Sequence, residues 1–386
     1  MTTGTAPTGL STISIIRRLT DLALDRGLSY AVWRMPGEGR TMMVIAASVR
    51  MVAEVSPENG EAGFALAPFD PAAPRFFLPA DHLFRFTNGG CEELTNGDLM
   101  EQMNAGIYSG PNHYPGPEDP GGEPLIPFQE LVACCITQIR SGLAQKLVPS
   151  RCKRVPLPLE ANPVSLFERL EVAYPDAFIS LVSTPQTGTW IGASPELLVE
   201  VDKDNIFRTV ALAGTKPYHE GININEVAWT QKEIEEQALV ERYIIGCFKK
   251  IRVREYEEFG PRTIRAGNLL HLRSDFCIDQ KEVHYPDLAT VMLRLMHPTS
   301  AVCGTPGDLA LDYLKKNEGY DRRYYAGYLG PVNIEQRTGL FVNLRCLKWL
   351  GKEALLFAGA GVTSASDPEQ EWQETRFKMD TLRKFL

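Results

Sequence analysis

The pattern of hydrophobic and polar positions divides the chain into many short strands and a smaller number of helices. Residues 1–110 predict one leading helix and then strands in runs such as YAVWRM, TMMVIAAS, GFALAPF and RFFLP. Residues 109–128 are dense in proline and glycine and predict an exposed, mobile connection. This first part contains no chemical motif, so we expect it to build sheet and cover the core.

From residue 128 onwards, segments with the periodicity of a helix alternate with strand-like segments. A helical pattern ends near Lys146, and the strand-like runs KLVPSRCKRVPL, AFISLVST, GTWIGAS and FRTVALAGT follow, interrupted by the helix PVSLFERLEVAYPD. The last third predicts three antiparallel strands, YYAGYLGPVN, GLFVNLRCLKWL and ALLFAGAG, which lead into a final helix. This pattern predicts an α+β protein with a large antiparallel, sandwich-like core and peripheral helices. We treat the chain as one domain, with 1–110 as its N-terminal part and 128–386 as the region that carries the chemistry.

Two helices share an unusual design, in which an apolar face continues into carboxylates. The final helix is predicted to be capped by Asp367, with Pro368 in its first turn. The residues at helical spacing on one of its faces are Glu371, Glu374, Lys378, Leu382 and Phe385. The second helix covers about residues 231–251. Its corresponding face consists of Glu233, Glu236, Val240, Tyr243, Cys247 and Ile251.

Each of these helices therefore directs a Glu-x-x-Glu pair toward the interior. Buried carboxylates repel one another and lose hydration, at a cost of several kcal/mol unless cations compensate. Hard oxygen ligands, with room for an anionic substrate, favour Mg²⁺ over zinc. The alternative is two ordinary charged helix faces in water, which is the usual situation for a single Glu-x-x-Glu.

Composition and charge narrow the class of protein. With 386 residues, 44% of them hydrophobic and 23% charged, the chain has the composition of a soluble globular protein of one large domain or two. A net charge of −8 without a basic block argues against nucleic acid as a partner, and means that an anionic ligand needs local cations. Apolar runs stay well short of the roughly 20 residues of a membrane span. The N-terminus is typical of a polar tail and an amphipathic helix, and the eight cysteines lack C-x-x-C spacing, so we expect a cytoplasmic protein with reduced thiols.

Two side chains are candidates for proton transfer. Lys146 lies between an apolar helix and a strand; a buried lysine loses its proton readily and acts as a base, although most lysines are surface charges. Glu196, in GASPELLVEV, lies between two apolar runs. A carboxyl buried there would have a raised pKa and act as a general acid; the alternative is a turn or helix-capping acid.

Other positions are candidates for holding an anion. Arg345 alternates with apolar neighbours in FVNLRCLKW, so we expect it to face the core and pair with a carboxylate. Glycine turns occur at AGT, with Gly214 and Thr215, at CGTPG, and at AGAG, with Gly359 and Gly361. Each could offer backbone N–H groups to a carboxylate, yet none matches a phosphate loop or dinucleotide fingerprint, and plain turns are the alternative.

Six motifs in order give the chain a family resemblance. They are GASPELL, LAGTKP, KEIEEQALV, HPTSAVCGTP, YDRRYYAGYLG and FAGAGVTSASDPEQEWQET. They closely resemble those of the chorismate-utilising enzymes, which include isochorismate synthases, salicylate synthases and the large subunit of anthranilate synthase. The resemblance covers about residues 128–386, and GFALAPF is similar to an early strand of isochorismate synthases. It implies one large domain, with extended sheets packed as a sandwich and helices outside.

The resemblance also implies a binding site for chorismate. Mg²⁺ would bridge the ring carboxylate to the protein, with Glu236 and Glu374 matching the direct ligands and Glu233 and Glu371 acting through water. These are the four carboxylates of the two helix faces. The positions matching substrate-binding groups are Tyr325, Arg345, Lys378, the glycine turns with Gly214, Thr215, Gly359 and Gly361, and His297, a histidine close to the substrate ring.

Within the family, two residues imply the branch that adds water. Lys146 in KLVPSR matches the lysine that activates the nucleophile, and Glu196 matches the acid that protonates the departing 4-hydroxyl. The implied reaction is attack of water at C2 of chorismate with allylic displacement of the C4 hydroxyl, giving isochorismate without a cofactor beyond Mg²⁺. The small apolar Ala301 and Val302 before Cys303 favour this over salicylate synthases, which go on to eliminate pyruvate.

Some alternatives stay open at this point. A non-catalytic chorismate-binding module would keep the pocket without turnover, although it would need neither the lysine nor the acid. Both menaquinone and siderophore biosynthesis fit as pathways, and we expect a monomer. The sequence departs from the family's pattern at Pro149, Gln237, Arg323 and Thr363, none of which removes a catalytic group.

Overall fold

The structure is a computed structural model that describes residues 11–87, 90–106, 108, 113–117 and 126–386. Its helices are α1 (Thr12–Asp25), α2 (Leu99–Ala105), α3 (Phe128–Arg140), α4 (Pro163–Ala173), α5 (Gln231–Lys250), α6 (Gln280–Val283), α7 (Leu288–Met296), α8 (Gly307–Asn317) and α9 (Pro368–Arg383). Within this part of the chain, no helix is long and apolar enough to cross a bilayer.

The strands of the first half are β1 (Ser29–Arg34), β2 (Thr41–Ala46), β3 (Arg50–Val52), β4 (Gly63–Ala67), β5 (Arg75–Pro79), β6 (His82–Thr87), β7 (Gly90–Glu93), β8 (Lys146–Leu147), β9 (Ser150–Pro156), β10 (Phe178–Thr184) and β11 (Gly188–Ser194). Those of the second half are β12 (Leu197–Val201), β13 (Ile206–Pro217), β14 (Glu257–Ala266), β15 (Leu269–Asp279), β16 (Gly304–Thr305), β17 (Tyr328–Val332), β18 (Thr338–Val342), β19 (Cys346–Trp349) and β20 (Glu353–Gly359).

These strands form two large antiparallel sheets. The first sheet has the order β7-β6-β2-β1-β10-β11-β19-β20-β9, and the second has the order β14-β15-β13-β12-β18-β17-β4-β5-β3. Strands β8 and β16 form a separate two-residue ladder. The N-terminal strand β1 pairs with β10, and β4 pairs with β17, so residues 1–110 and 128–386 contribute strands to the same two sheets.

The two sheets pack face to face, with helices on the outside. Phe178 of the first sheet stacks on Phe341 of the second, with ring centroids 4.2 Å apart. Helices α1, α4 and α9 contact the first sheet from outside, and α5 and α7 contact the second. Every residue of β1, β2, β10 and β11 is buried, because one face meets the other sheet and the other lies under helices. The continuous apolar runs of the sequence have this origin, and the predicted α+β sandwich is confirmed.

Two boundaries differ from the sequence prediction. Helix α3 ends at Arg140 rather than near Lys146, because Gly142 turns the chain with a φ of 86°. The run GLFVNLRCLKWL is not one strand but two, β18 and β19, which belong to different sheets. The predicted mobile connection at 109–128 lies mostly outside the described residues. Within it, Tyr114 donates its backbone N–H to Ser183 Oγ at 3.1 Å and its hydroxyl to Leu28 O at 2.9 Å, so this part is held against the first sheet.

Candidate active site

The site lies where two neighbouring strands change sheets side by side. Strand β11 of the first sheet continues through Glu196 into β12 of the second, and β18 of the second sheet continues through Arg345 into β19 of the first. Two backbone hydrogen bonds join these crossings, Ala193 N to Arg345 O and Val342 N to Glu196 O, each 3.0 Å long. Arg345 has a φ of 47°, in the left-handed region, at the point where the chain turns. The expected strand alternation at Arg345 is therefore wrong, but its side chain is buried as predicted.

A cavity opens beside the crossings. The predicted site residues that line it are Glu196, Gly214, Thr215, Glu236, Ala301, Val302, Tyr325, Arg345, Gly359, Gly361 and Lys378. Segments that are distant in sequence thus meet at one place: the crossings, the turn within β13, α5, the loops before β16 and β17, and the end of β20 with α9. The lining residues that the sequence analysis did not select include Val148, His271, Leu344 and Phe357.

Glu196 has the properties of a general acid. Its side chain is buried, and Thr299 Oγ1 lies 3.5 Å from its Oε1 as a weak donor. Burial raises the pKa of Glu196 to about 7, although the positive charges of Lys146, Lys378 and Arg345 oppose the rise. A carboxyl with this pKa carries a proton in a large fraction of molecules at neutral pH and can deliver it.

Arg345 is held in place by a histidine that the sequence analysis missed. Arg345 Nη2 lies 3.1 Å from His271 Nε2, and His271 Nδ1 lies 2.7 Å from Gly214 O. Burial, together with the charge of Arg345, lowers the pKa of His271 to about 3, so the ring is neutral. The partners then define its tautomer: Nδ1 donates to the carbonyl and Nε2 accepts from the guanidinium. In the sequence, the position of His271 inside the apolar run LLHL could have indicated a buried polar residue.

Lys378 and Tyr325 complete a cationic, hydrogen-bonding wall around Gly359. Lys378 Nζ donates to Gly359 O at 2.9 Å. A Cβ built on Gly359 would lie 3.1 Å from the Tyr325 hydroxyl, so the hydroxyl lies directly against this glycine. Burial lowers the pKa of Arg345 only to about 10, and the guanidinium stays charged. This wall can bind an anionic group despite the net negative charge of the chain.

Three lysine–glutamate ion pairs occupy the adjoining space between α5, α9 and β8. They are Lys146–Glu236 at 2.9 Å, Lys232–Glu371 at 2.5 Å and Lys378–Glu374 at 2.6 Å. Lys146 is fully buried. A Cβ on Gly361 would lie only 2.0 Å from Glu236 Oε1, so the first pair depends on the absence of a side chain there.

The charges of these groups are coupled. Burial favours the neutral form of Glu236, but the ammonium groups of Lys146 and Lys232 outweigh it and lower the pKa of this carboxyl. Burial and the nearby charge of Glu374 raise the pKa of Glu371 to about 7, and its Oε2 has no hydrogen-bond partner. Lys232, one helical turn before Glu236, was missed by the sequence analysis, although its i,i+4 spacing was visible.

The donor set fits Mg²⁺ in its chemistry. Glu236, Glu371 and Glu374 supply carboxylate oxygens on two facing helices, and the unpartnered oxygen of Glu371 is a ready ligand or water acceptor. In the part of the chain that the structure describes, however, no three acidic, histidine or cysteine side chains are grouped closely enough to hold a metal, because lysines separate the carboxylates. Glu233 instead accepts from Thr230 N at 2.6 Å and closes the capping box of α5.

His297 is placed away from this cavity. Its Nε2 donates to Pro68 O at 2.8 Å, and its ring packs edge-on against Tyr328. Burial lowers the pKa of His297 to about 4. The histidine beside the expected substrate position is His271, so the geometry does not support the expected role of His297 near the substrate ring.

The four departures from the family's pattern have simple structural settings. Gln237 Nε2 lies 3.2–3.3 Å from Ala211 O, Glu241 Oε1 and Ser274 Oγ, and so ties α5 to the second sheet. Arg323 has a φ of 50°, a conformation that suits glycine better. The carbonyl of Pro149 accepts from Ala360 N, and Thr363 N donates to Ser366 Oγ.

The chain is similar to known proteins of one family. The family model described as chorismate binding enzyme matches residues 119–386, and the chain belongs to that family. Isochorismate synthase EntC of Escherichia coli (strain K12) is 27% identical over 260 residues, an alignment that spans 66% of each chain, just under two thirds. The vibriobactin-specific isochorismate synthase of Vibrio cholerae is 26% identical over 325 residues, 83% of this chain and 78% of that one.

Solved structures show the same fold. MenF, the menaquinone-specific isochorismate synthase from Escherichia coli, superposes with a TM-score of 0.74 at 20% identity, over 100% of this chain and 96% of that one. Anthranilate synthase component I from Streptococcus pneumoniae gives 0.65 at 20% identity, over 83% and 80%. The match of the family model to residues 119–386 confirms the family resemblance inferred from the motifs.

The burial of Glu196 predicts a pH-dependent effect on stability. Its pKa rises from 4.5 in the unfolded chain to about 7 in the folded protein, so burial costs nothing below pH 4.5 and the full penalty above pH 7. Glu196→Gln should therefore increase the free energy of unfolding at pH 8.5 by up to about 3 kcal/mol more than at pH 5. Denaturant unfolding at both values measures this difference. An equal effect of the substitution at pH 5 and pH 8.5 would contradict the raised pKa.

Proposed function

We propose that the protein is an isochorismate synthase, an isomerase that converts chorismate to isochorismate. The observation that carries this proposal is that Lys146, a fully buried lysine, pairs with Glu236 of the cavity wall and interacts electrostatically with Glu196, a buried acid of the same wall. A protein that only binds chorismate needs neither group. The isochorismate synthases among the relatives and solved structures support the same reaction.

Substrate binding is assigned to the cationic wall. Chorismate carries two carboxylates, and Arg345, Lys378 and the Tyr325 hydroxyl present donors to one cavity. His271 fixes the guanidinium through its 3.1 Å contact, so the donors are oriented before the ligand arrives. The small side chains Ala301 and Val302 form another part of the wall and leave room for the ring.

The reaction requires one proton donor and one proton acceptor. As the proposed base, Lys146 takes a proton from water as the water oxygen bonds to C2 of the ring. The ring double bond shifts, the C4–O bond breaks, and Glu196 gives its proton to the departing oxygen. One water enters and one leaves, so the reaction involves no net oxidation, and the reverse direction exchanges the two roles.

Mg²⁺ belongs to this proposal as the cofactor. Glu236 and Glu374 are the proposed direct ligands, with Glu371 acting through water; Glu233 is left out of this set because its carboxylate caps α5. When bound, the cation would neutralise the ring carboxylate and these acids. Three glutamates of this region are each paired with a lysine, so positive charge already lies beside the proposed ligands. A monomeric, cytoplasmic protein stays a prediction, and menaquinone and siderophore biosynthesis both remain compatible pathways.

Product analysis tests the reaction directly. Purified protein with chorismate and Mg²⁺, without ammonia, should give chorismate and isochorismate at one fixed ratio, approached from either compound.

Lys146→Ala should abolish turnover because the water loses its base, while chorismate binding persists. Lys153→Ala, at an exposed lysine of β9, is the matched control and should stay active. Salicylate with pyruvate would identify a salicylate synthase, and unchanged chorismate with intact binding would identify a non-catalytic module.

The metal assignment predicts a second outcome. Glu236→Gln removes one proposed ligand charge, so the Mg²⁺ concentration for half-maximal activity should rise at least about tenfold. Titration of Mn²⁺ by calorimetry should show the same loss of affinity without substrate. Glu235→Gln, on the exposed side of the same helix, should behave like wild type. Saturation of Glu236→Gln at the wild-type Mg²⁺ concentration would show that Glu236 is not a ligand.

A further inference from the structure

A buried ion pair lies behind the wall of the cavity and is not part of the proposed chemistry. Arg322 and Glu318 have side chains only 2% and 3% exposed; Glu318 is the C-cap of α8, and Arg322 lies four residues later in the loop that follows. Arg322 Nε donates to Glu318 Oε2 at 2.8 Å, and its Nη2 donates to Glu318 Oε1. The guanidinium also packs over the ring of Phe69, 4.1 Å from its centroid.

The remaining donors of Arg322 go to the backbone of two cavity segments. Nη1 donates to Val302 O at 2.8 Å, and Nη2 donates to Val148 O at 2.6 Å. Both valines line the cavity. Glu318 Oε1 accepts from Ser150 N at 2.8 Å and from Ser150 Oγ at 3.0 Å. The pair therefore joins residues 148–150 to residue 302 by charge-assisted hydrogen bonds.

Residues 148–150 follow Lys146 and Leu147, which form a very short strand. Strand β8 has two residues and pairs with the two-residue strand β16. Leu147 exchanges backbone hydrogen bonds with Val362, and Val148 N donates to Cys303 O at 2.9 Å. A ladder of this length has little stability of its own, so the position of Lys146 depends on what holds the neighbouring backbone.

The cost of the pair indicates a role beyond stability. Burying two charges requires their desolvation, and a well-packed apolar pair of similar size is often as stable or more so. An apolar pair could not hold the carbonyls of Val148 and Val302 together. We infer that Glu318 and Arg322 are positioning residues, which fix the Lys146 segment against the Ala301–Val302 wall so that the base is aimed at the substrate. This inference rests on the proposed role of Lys146.

A positioning role predicts a specific kinetic pattern. The side-chain hydrogen bonds of the pair described above do not include Arg345 or Lys378. Tyr325 contacts Arg322 through its backbone N–H, which donates to Arg322 O at 3.0 Å, and through its ring, 5.9 Å from the guanidinium. The backbone bond does not depend on the Arg322 side chain, so substrate affinity should be retained. Displacing a base by about 1 Å costs roughly 100-fold in rate. Loss of the pair should therefore lower kcat by about 10- to 100-fold and leave KM for chorismate within about twofold.

Two variants test this with different risks to folding. Arg322→Lys keeps the charge and the partner Glu318, but a single ammonium cannot reproduce the planar fork that reaches both carbonyls. The double variant Glu318→Leu with Arg322→Met replaces the pair by apolar side chains. Both should fold, by circular dichroism and thermal unfolding, and both should show the lowered kcat with nearly unchanged KM. The control is Arg208→Lys, which alters a half-exposed arginine paired with Asp202 on the second sheet, and it should leave kcat unchanged.

The same assay includes wild type and Lys146→Ala. Active wild type, inactive Lys146→Ala and wild-type kcat in either folded pair variant would overturn the inference while the proposed function stands. A rise in KM without loss of kcat, or loss of folding in both variants, would also overturn it, since the pair would then serve binding or stability. Wild type that forms no isochorismate would overturn the proposed function, and the inference with it.

Discussion

Two strands that cross together from one sheet to the other form the constraint on which the site depends. The hydrogen bonds between Ala193 and Arg345 and between Val342 and Glu196 keep the two crossings in register. One crossing presents an acid and the other an arginine, so both reach the same cavity from the middle of the sandwich. The surrounding sheets make this arrangement rigid, because every residue of β11 and β18 is buried.

Charge compensation is the second organising feature. The chain is acidic overall, yet Lys378 and Arg345 line its cavity and Lys146 lies beside it. The lysines pair with Glu374 and Glu236, and Arg345 contacts His271. Burial without partners would disfavour all of these charges. The lysine–glutamate pairs reduce that cost, and the same groups give the site the means to attract an anionic substrate. Stability and function therefore draw on the same electrostatic arrangement.

Much of the architecture follows from the sequence, because continuous apolar runs predict strands buried on both faces. Helical periodicity correctly directed Glu236 and Glu371 inward, toward the lysines. It failed for Glu233, whose carboxylate caps α5 through Thr230, a T-x-x-E pattern that was readable beforehand. The change of sheet at Arg345 could not be predicted from the sequence, because the alternation of apolar residues continues through this position.

Contacts between distant segments could not be predicted from the sequence either. The residues next to His271 and Arg322 in the sequence do not predict that each of these side chains holds a functional segment by hydrogen bonds. Such roles depend on distances between elements that are set only by the packed fold. The expected place of His297 beside the substrate failed for the same reason, because a motif gives the identity of a residue and not the direction of its side chain.

Isotope labelling tests the central claim, that the enzyme adds a solvent water at C2 as the C4 hydroxyl leaves. Wild-type protein converts chorismate in H₂¹⁸O, and mass spectrometry with ¹³C NMR locates the label in the isochorismate formed. The account predicts one ¹⁸O at C2 and none at C4 in the first turnover. Isochorismate without ¹⁸O would mean that the hydroxyl moves within the substrate, and would contradict the assignment of Lys146 and Glu196 as base and acid for separate oxygens.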